Sequence, residues 1–176
     1  THPFVLSLDA DEALSETLRQ SILAIKNHPE YDGFIVNRRT NYCGQWIAHS
    51  GWDPDRKLRL FDRRLGHWGG TNPHDRVEML DGARTMRLDG DLLHYSYYTV
   101  EEHLARARKY AHIAAAAMHN QSKRGAWWRM WVSPAAKFLR NYFLKLGFLD
   151  GPAGWTICRI SALETYWKYR ELSKLK

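Results

Sequence analysis

Apolar positions change period several times along this chain, and each change marks an element. Phe4-Val5-Leu6-Ser7-Leu8 is an apolar run of strand length that ends in Asp9-Ala10-Asp11-Glu12, the pattern of a buried strand delivering acid groups to a sheet edge. Leu14, Leu18, Ile22 and Ile25 then recur at helical spacing, with Ser15 and Thr17 near the start and Pro29 at the end, which predicts an amphipathic helix covering a sheet. Gly33 to Asn37 reads as a strand. Lys57-Leu58-Arg59-Leu60-Phe61 alternates with period two, so Leu58 and Leu60 share one face and Lys57, Arg59 and Phe61 the other. Ala83 to Leu88 and Leu92 to Tyr97 predict two more strands, joined as a hairpin through Asp89-Gly90-Asp91. Thr99-Val100-Glu101-Glu102 is a capping box that opens a helix near Val100, whose stripe of Leu104, Ala107, Ala111, Ala114, Ala115 and Met118 suits close packing.

From Gln121 the character changes. Trp127-Trp128-Arg129-Met130-Trp131, Pro134, Phe138 to Leu146, and Asp150-Gly151-Pro152 predict two or three helices punctuated by Pro and Gly, the last running from about Trp155 to Leu172. The pattern is that of an α/β body over residues 1–120 followed by a helical tail over 121–176. Charge sharpens that division. The formal net charge is +7, yet residues 1–120 carry 15 cations and 16 anions, whereas 121–176 carry 11 cations and 3 anions together with 11 of the 23 aromatics. A basic end rich in Trp and Tyr suits a surface that is anionic and partly apolar. Lys and Arg interrupt its apolar stretches too often for it to cross a bilayer, but it can lie on one.

Two cysteines, Cys43 and Cys158, with no CxxC spacing, argue against a disulfide framework or a zinc site and fit a reducing compartment. The residues from Thr1 on do not have the pattern of a signal peptide, and cytoplasm is the expected location. The chain starts with Thr1 almost at its first strand, which leads us to expect further sequence upstream.

Candidate chemistry gathers at four places. Asp9 and Asp11, two apart, share a face if the backbone is extended, and at a strand end both can reach one hard divalent cation. Gly66 to Val77 is expected to be loop and holds Trp68, Gly69, Gly70 and the titratable pair His74-Asp75, glycines there allowing close approach of backbone to a ligand. His94 lies in a predicted strand and acquires interest if it shares a face with Asp9 and Asp11, while Arg59 points either at a ligand or at solvent. The aromatic stretch from Tyr42 to Pro54 can wall a pocket.

Leu-Ser-Leu-Asp-Ala-Asp-Glu, Arg-Leu-Phe, Gly-Gly-Thr-Asn-Pro-His-Asp, Leu-Leu-His-Tyr-Ser-Tyr, Glu-Glu-His-Leu and Gly-Phe-Leu-Asp-Gly-Pro-Ala-Gly, in that order from Leu6 to about Lys168, resemble the family 2 glycosyltransferases, in particular the lipopolysaccharide core β-1,4-glucosyltransferase type. The resemblance implies a GT-A fold, a Rossmann-like α/β sandwich that inverts the anomeric centre of a nucleotide-sugar donor with Mg²⁺ or Mn²⁺. It implies that Asp9 and Asp11 form the D-x-D pair holding the metal against the donor diphosphate, and that His94 completes that shell. Asp75 would be the general base, standing beside His74 where relatives commonly have His-Glu. Arg59, Trp68, Gly69, Gly70 and His74 would line the donor or acceptor side. Relatives carry about two more βα units upstream, so the chain corresponds to the C-terminal two-thirds of such an enzyme.

The expectation is therefore a peripheral transferase on the inner face of the inner membrane, moving glucose or a similar hexose from a UDP-sugar to a lipid-linked saccharide such as lipopolysaccharide inner core. Polyprenyl phosphate is the alternative acceptor, and the sequence leaves the oligomeric state open. The alternatives to catalysis are a truncated, inactive transferase or a non-catalytic membrane- or nucleic-acid-binding module in which the tail is the function. The transferase reading expects no nucleic acid.

Overall fold

Strand-forming runs and capped helices follow one another in the order β1 (Phe4–Leu6), β2 (Glu12–Leu14), α1 (Glu16–Ile25), β3 (Gly33–Tyr42), β4 (Gln45–Trp46), β5 (Arg56–Asp62), β6 (Gly66–Gly69), β7 (Arg76–Met79), β8 (Thr85–Tyr97), α2 (Val100–Asn120), α3 (Arg129–Leu139) and α4 (Gly151–Lys174). A π-helical turn, Arg140–Leu144, and a 3-10 turn, Gly147–Asp150, link the last two helices. The structure is a computed structural model and describes residues 2–26, 30–70, 76–121 and 127–175. The class is mixed α/β, as expected. The main sheet runs β1-β5-β3-β8-β2, with β4 added to β3, and β1–β5, β5–β3, β3–β4 and β2–β8 all pair antiparallel.

Two units make up the chain, residues 1–40 with 54–95, and residues 41–53 with 96–176. They cut across the 1–120 and 121–176 organisation expected from charge, since α2 groups with the later helices. In the first unit, Leu18, Phe34, Val36, Leu60, Leu88 and Leu92 form the core, with α1 contributing Leu18 and the partly buried Ile22 and Ile25. In the second, α4 packs on both α2 and α3. Ala107, Ala111 and Ala115 are buried at i, i+4 and i+8 along α2, so small side chains let the α4 backbone come near. Tyr42, buried, meets Trp52, Tyr97 and His103 edge-on, and its hydroxyl lies 3.1 Å from His103 Nδ1.

Local signals set the helix starts. Thr99 and Glu102 form the reciprocal capping box in full, and Ser15 Oγ accepts from the Leu18 N–H at 3.2 Å to cap α1. Four expectations need correction. Residues 83–97 do not form a hairpin, because Asp89-Gly90-Asp91 lies inside the single 13-residue strand β8. Gly90 has φ 92°, and a Cβ there would overlap the backbone nitrogen of Leu18, so the glycine serves the seating of the first turn of α1 and not a chain reversal. The flanking backbone is tied to the helix cap, Ser15 N–H donating to the Asp91 carbonyl at 3.0 Å and Asp91 N–H to Ser15 Oγ at 3.0 Å. Gly66 to Val77, expected as loop, instead contains β6 and the start of β7, which pair antiparallel. β3 continues past Asn37 to Tyr42. Pro134 lies within α3, where it lines a groove against Arg159 and Tyr166 of α4 instead of ending the helix.

Gly90→Ala combines an unfavourable φ with a steric overlap and is expected to destabilise the protein by about 2 kcal/mol or more in chemical denaturation, while Asp89→Ala beside it stays within about 0.5 kcal/mol.

Candidate functional site

The acidic stretch after β1 is a turn and not an extended segment. Glu12 N–H donates to the Asp9 carbonyl at 3.1 Å, and Asp9 N–H donates to Glu12 Oε2 at 3.0 Å. Turning the backbone between the two aspartates separates their side chains, so they do not share a face as the D-x-D spacing predicted. Asp9 Oδ2 accepts from Arg59 Nη2 at 2.7 Å, and the same nitrogen donates to Glu12 Oε1 at 2.8 Å. The Arg59 side chain is 6% exposed and that of Glu12 is fully buried, so this is a paired charge out of water. Arg38 adds a second cation, 3.6 Å from Glu12 Oε1 and 2.7 Å from Asp55 Oδ2. Trp68 of β6 stands over the Arg59 guanidinium, 5.9 Å from ring centroid to Cζ.

Asp11 turns the other way. Its carbonyl accepts from the Tyr95 N–H at 2.9 Å, and its carboxylate Oδ2 lies 3.3 Å from His94 Nε2. Cross-strand register sets this meeting, since Glu12 is the partner of His94 in the β2–β8 pair. Burial pushes the His94 pKa below its ordinary value and nearby Arg38 pushes the same way, against the pull of Asp11 and Glu12. His94 Nδ1 is buried and without a hydrogen-bond partner among the described residues.

The structure thus brings Asp9, Arg59 and Trp68 together in one cluster and Asp11 and His94 in a second beside it. Gly69 lies in β6, where a Cβ would press on the Glu78 side chain at 2.8 Å, so packing within the β6–β7 pair accounts for it. Gly70 follows with φ 94°. His74 and Asp75 lie outside the described residues. Among the described residues no group of three His, Cys, Asp or Glu side chains is placed to hold a metal ion, so Asp9, Asp11 and His94 do not converge as a ready-made triad. Sequence reasoning passed over Glu12, Arg38 and Asp55. Glu12 stood in plain view in the acidic run, and only its burial marks its role.

In the second unit the Asp150 carboxylate, 4% exposed, gathers a loop: it accepts from Ala48 N–H and His49 N–H at 3.1 Å each and from Ser50 Oγ at 2.7 Å. Its carbonyl takes Gln45 Nε2 at 2.9 Å. A buried carboxylate with this many donors holds the loop conformation, including Ser50 at φ 60°.

Among known proteins the likeness is to glycosyltransferases. The chain is 25% identical over 96% of its length to the lipopolysaccharide core biosynthesis glycosyltransferase LpsC of Rhizobium meliloti, covering 66% of that protein. It is 24% identical over 98% of its length to uncharacterized glycosyltransferases of Rickettsia typhi and Rickettsia prowazekii, covering 62% of each. The chain therefore spans roughly two-thirds of the length of these relatives. No family model matches, and no solved structure matches.

His94 titration tests the second cluster. Its ring pKa, followed by NMR, is expected below about 6.5. Asp11→Asn removes a group that raises it and lowers it further, whereas Arg38→Gln raises it. Because the folded value lies below the unfolded one, this histidine's contribution to stability is whole above the unfolded pKa and falls as pH drops below it.

Proposed function

We propose that the protein is an inverting glycosyltransferase with a GT-A core that moves a hexose from a UDP-sugar to a lipid-linked saccharide. Similarity to named glycosyltransferases over nearly the whole chain supports the transferase class, and the name of the Rhizobium meliloti relative supports a lipopolysaccharide-core type of acceptor. The observation that carries the site assignment is the orientation of Asp11: its carboxylate lies 3.3 Å from His94 Nε2, while that of Asp9 is taken by Arg59.

The residues fit a hard divalent cation bound in the manner of Mg²⁺, which takes one or two protein ligands and completes its shell with water and substrate phosphates. Asp11 and His94 would hold it. Their 3.3 Å separation is close to the ~3 Å spanned by two adjacent ligands at bond lengths of about 2.1 Å. Toward a cation, Nε2 would present its lone pair, with the ring proton on Nδ1. When bound, Mg²⁺ or Mn²⁺ offsets the charge that develops on the departing nucleoside diphosphate.

Arg59 and Glu12 have a different task, fixing the turn so that Asp11 leaves it in one direction only. Trp68, half-exposed above Arg59, offers an apolar ring to a donor or acceptor sugar. Asp75, in the connection between β6 and β7, takes the proton of the acceptor hydroxyl as that oxygen attacks the anomeric carbon from the side opposite the diphosphate.

Titration calorimetry with UDP-glucose tests the reading. Binding is expected to require Mg²⁺ or Mn²⁺ and to weaken at least tenfold in Asp11→Asn, and Asp75→Asn is expected to bind donor normally but fail to transfer. Metal-independent binding, or normal turnover by either variant, contradicts the assignment.

A further inference from the structure

Helix α3 has one side against α4 and the other against nothing among the described residues. Met130, Pro134 and Phe138 line the groove that faces α4, and no residue of α3 is fully buried. On the far side Trp128, Val132, Ala135 and Leu139 follow at i, i+4, i+7 and i+11, a continuous apolar stripe at helical spacing, and all four are exposed. The stripe runs on through Phe143 into a tip where Leu144 is 78% exposed and Leu149 58%. More than half of the exposed large apolar side chains among the described residues lie between Trp127 and Trp155. A patch of this extent marks a contact surface.

Charge narrows the choice of partner. Residues 121–149 contain no Asp or Glu, but do contain Arg129, Lys137, Arg140 and Lys145. Arg129 and Arg140 are spaced to follow the edge of the stripe, where long side chains can lay their stems on apolar surface and send their charges to a phosphate layer. A second copy of the same face would set cations against cations, and a two-fold contact of that kind is repulsive. No helix among the described residues is long and apolar enough to cross a membrane. α4 contributes Trp155 at its start, while Ile157, Cys158, Ile160, Ser161, Thr165 and Leu172 are buried along it. The sequence pointed to the whole of 121–176, whereas the structure concentrates the exposed apolar face on α3 and the two turns after it, with α4 mainly as their support.

We propose that α3, the π-helical turn and the 3-10 turn form a docking face for an anionic bilayer surface, with the apolar stripe at headgroup depth and Arg129 and Arg140 among the lipid phosphates. The inference rests on the second unit alone and holds whether or not the transferase assignment does, because vesicle binding needs no donor, metal or acceptor.

Flotation of the purified protein, without nucleotide or metal, on phosphatidylcholine vesicles with and without phosphatidylglycerol provides the test. Retention is expected on the anionic vesicles, about tenfold weaker on neutral ones and weaker again in high salt. Leu139→Glu with Leu144→Glu is expected to lose binding by more than about tenfold with the circular dichroism spectrum unchanged, since both positions are exposed. Arg129→Gln with Arg140→Gln should erase most of the preference for anionic lipid while leaving the residual neutral binding. Equal recovery of wild type and the double Glu variant overturns the proposal. So does sedimentation of the wild type as a dimer that the double Glu variant splits, because the stripe would then belong to a second copy.

Discussion

A guanidinium removed from water needs anionic partners in fixed positions, and Arg59 has two of them on a single nitrogen. Glu12 reaches it from the start of β2 and Asp9 from the turn just before, so one cation on β5 ties together both ends of the acidic stretch. The attraction contributes little net stability once desolvation is counted, and its main consequence is geometric. With Asp9 held and the Glu12 carboxylate doubly engaged, by Arg59 on one oxygen and by the Asp9 N–H on the other, the turn has one shape. That shape sends Asp11 away from its neighbours toward His94. The candidate site is thus a by-product of an ion pair that is itself structural.

The same device recurs in the second unit with neutral donors. Asp150 draws in two backbone N–H groups and the Ser50 hydroxyl, and so fixes the loop between β4 and Trp52 against the start of α4. Close helix contact depends there on the alanines of α2. The resulting scaffold supports α3 on one side and, among the described residues, leaves the other uncovered, which is what an amphipathic helix requires if its second apolar face is to meet something outside the chain.

Much of this could be read from local patterns, and the misreadings share a cause. The caps of α1 and α2 were legible because Ser15 and Thr99 act on residues three positions away. Gly90 was misread because Asp-Gly between apolar runs is the signature of a tight turn, and what decides otherwise is the backbone of Leu18, far off in sequence. Asp9 and Asp11 were expected to hold a metal together, but the expectation that they share a face assumed an extended backbone. Arg59 was left between ligand and solvent, and the structure turns it from solvent toward two carboxylates 50 and 47 residues away. Long-range pairing of charges leaves no periodic trace. The basic aromatic tail was visible in composition, but which of its helices is exposed depends on the packing of α4, and that is set by tertiary contacts with α2 and α3.

If Arg59 and Glu12 fix the turn together, their contributions cannot be independent. The most direct measurement is a double-mutant cycle in chemical denaturation with Arg59→Leu, Glu12→Ala and the two combined. Each single change takes one partner from a buried charge and should cost about 3 kcal/mol, and the pair should cost less than the sum by about 2 kcal/mol or more. Single costs that add to within about 0.5 kcal/mol would mean that the two side chains act separately and that the acidic turn is held by something else.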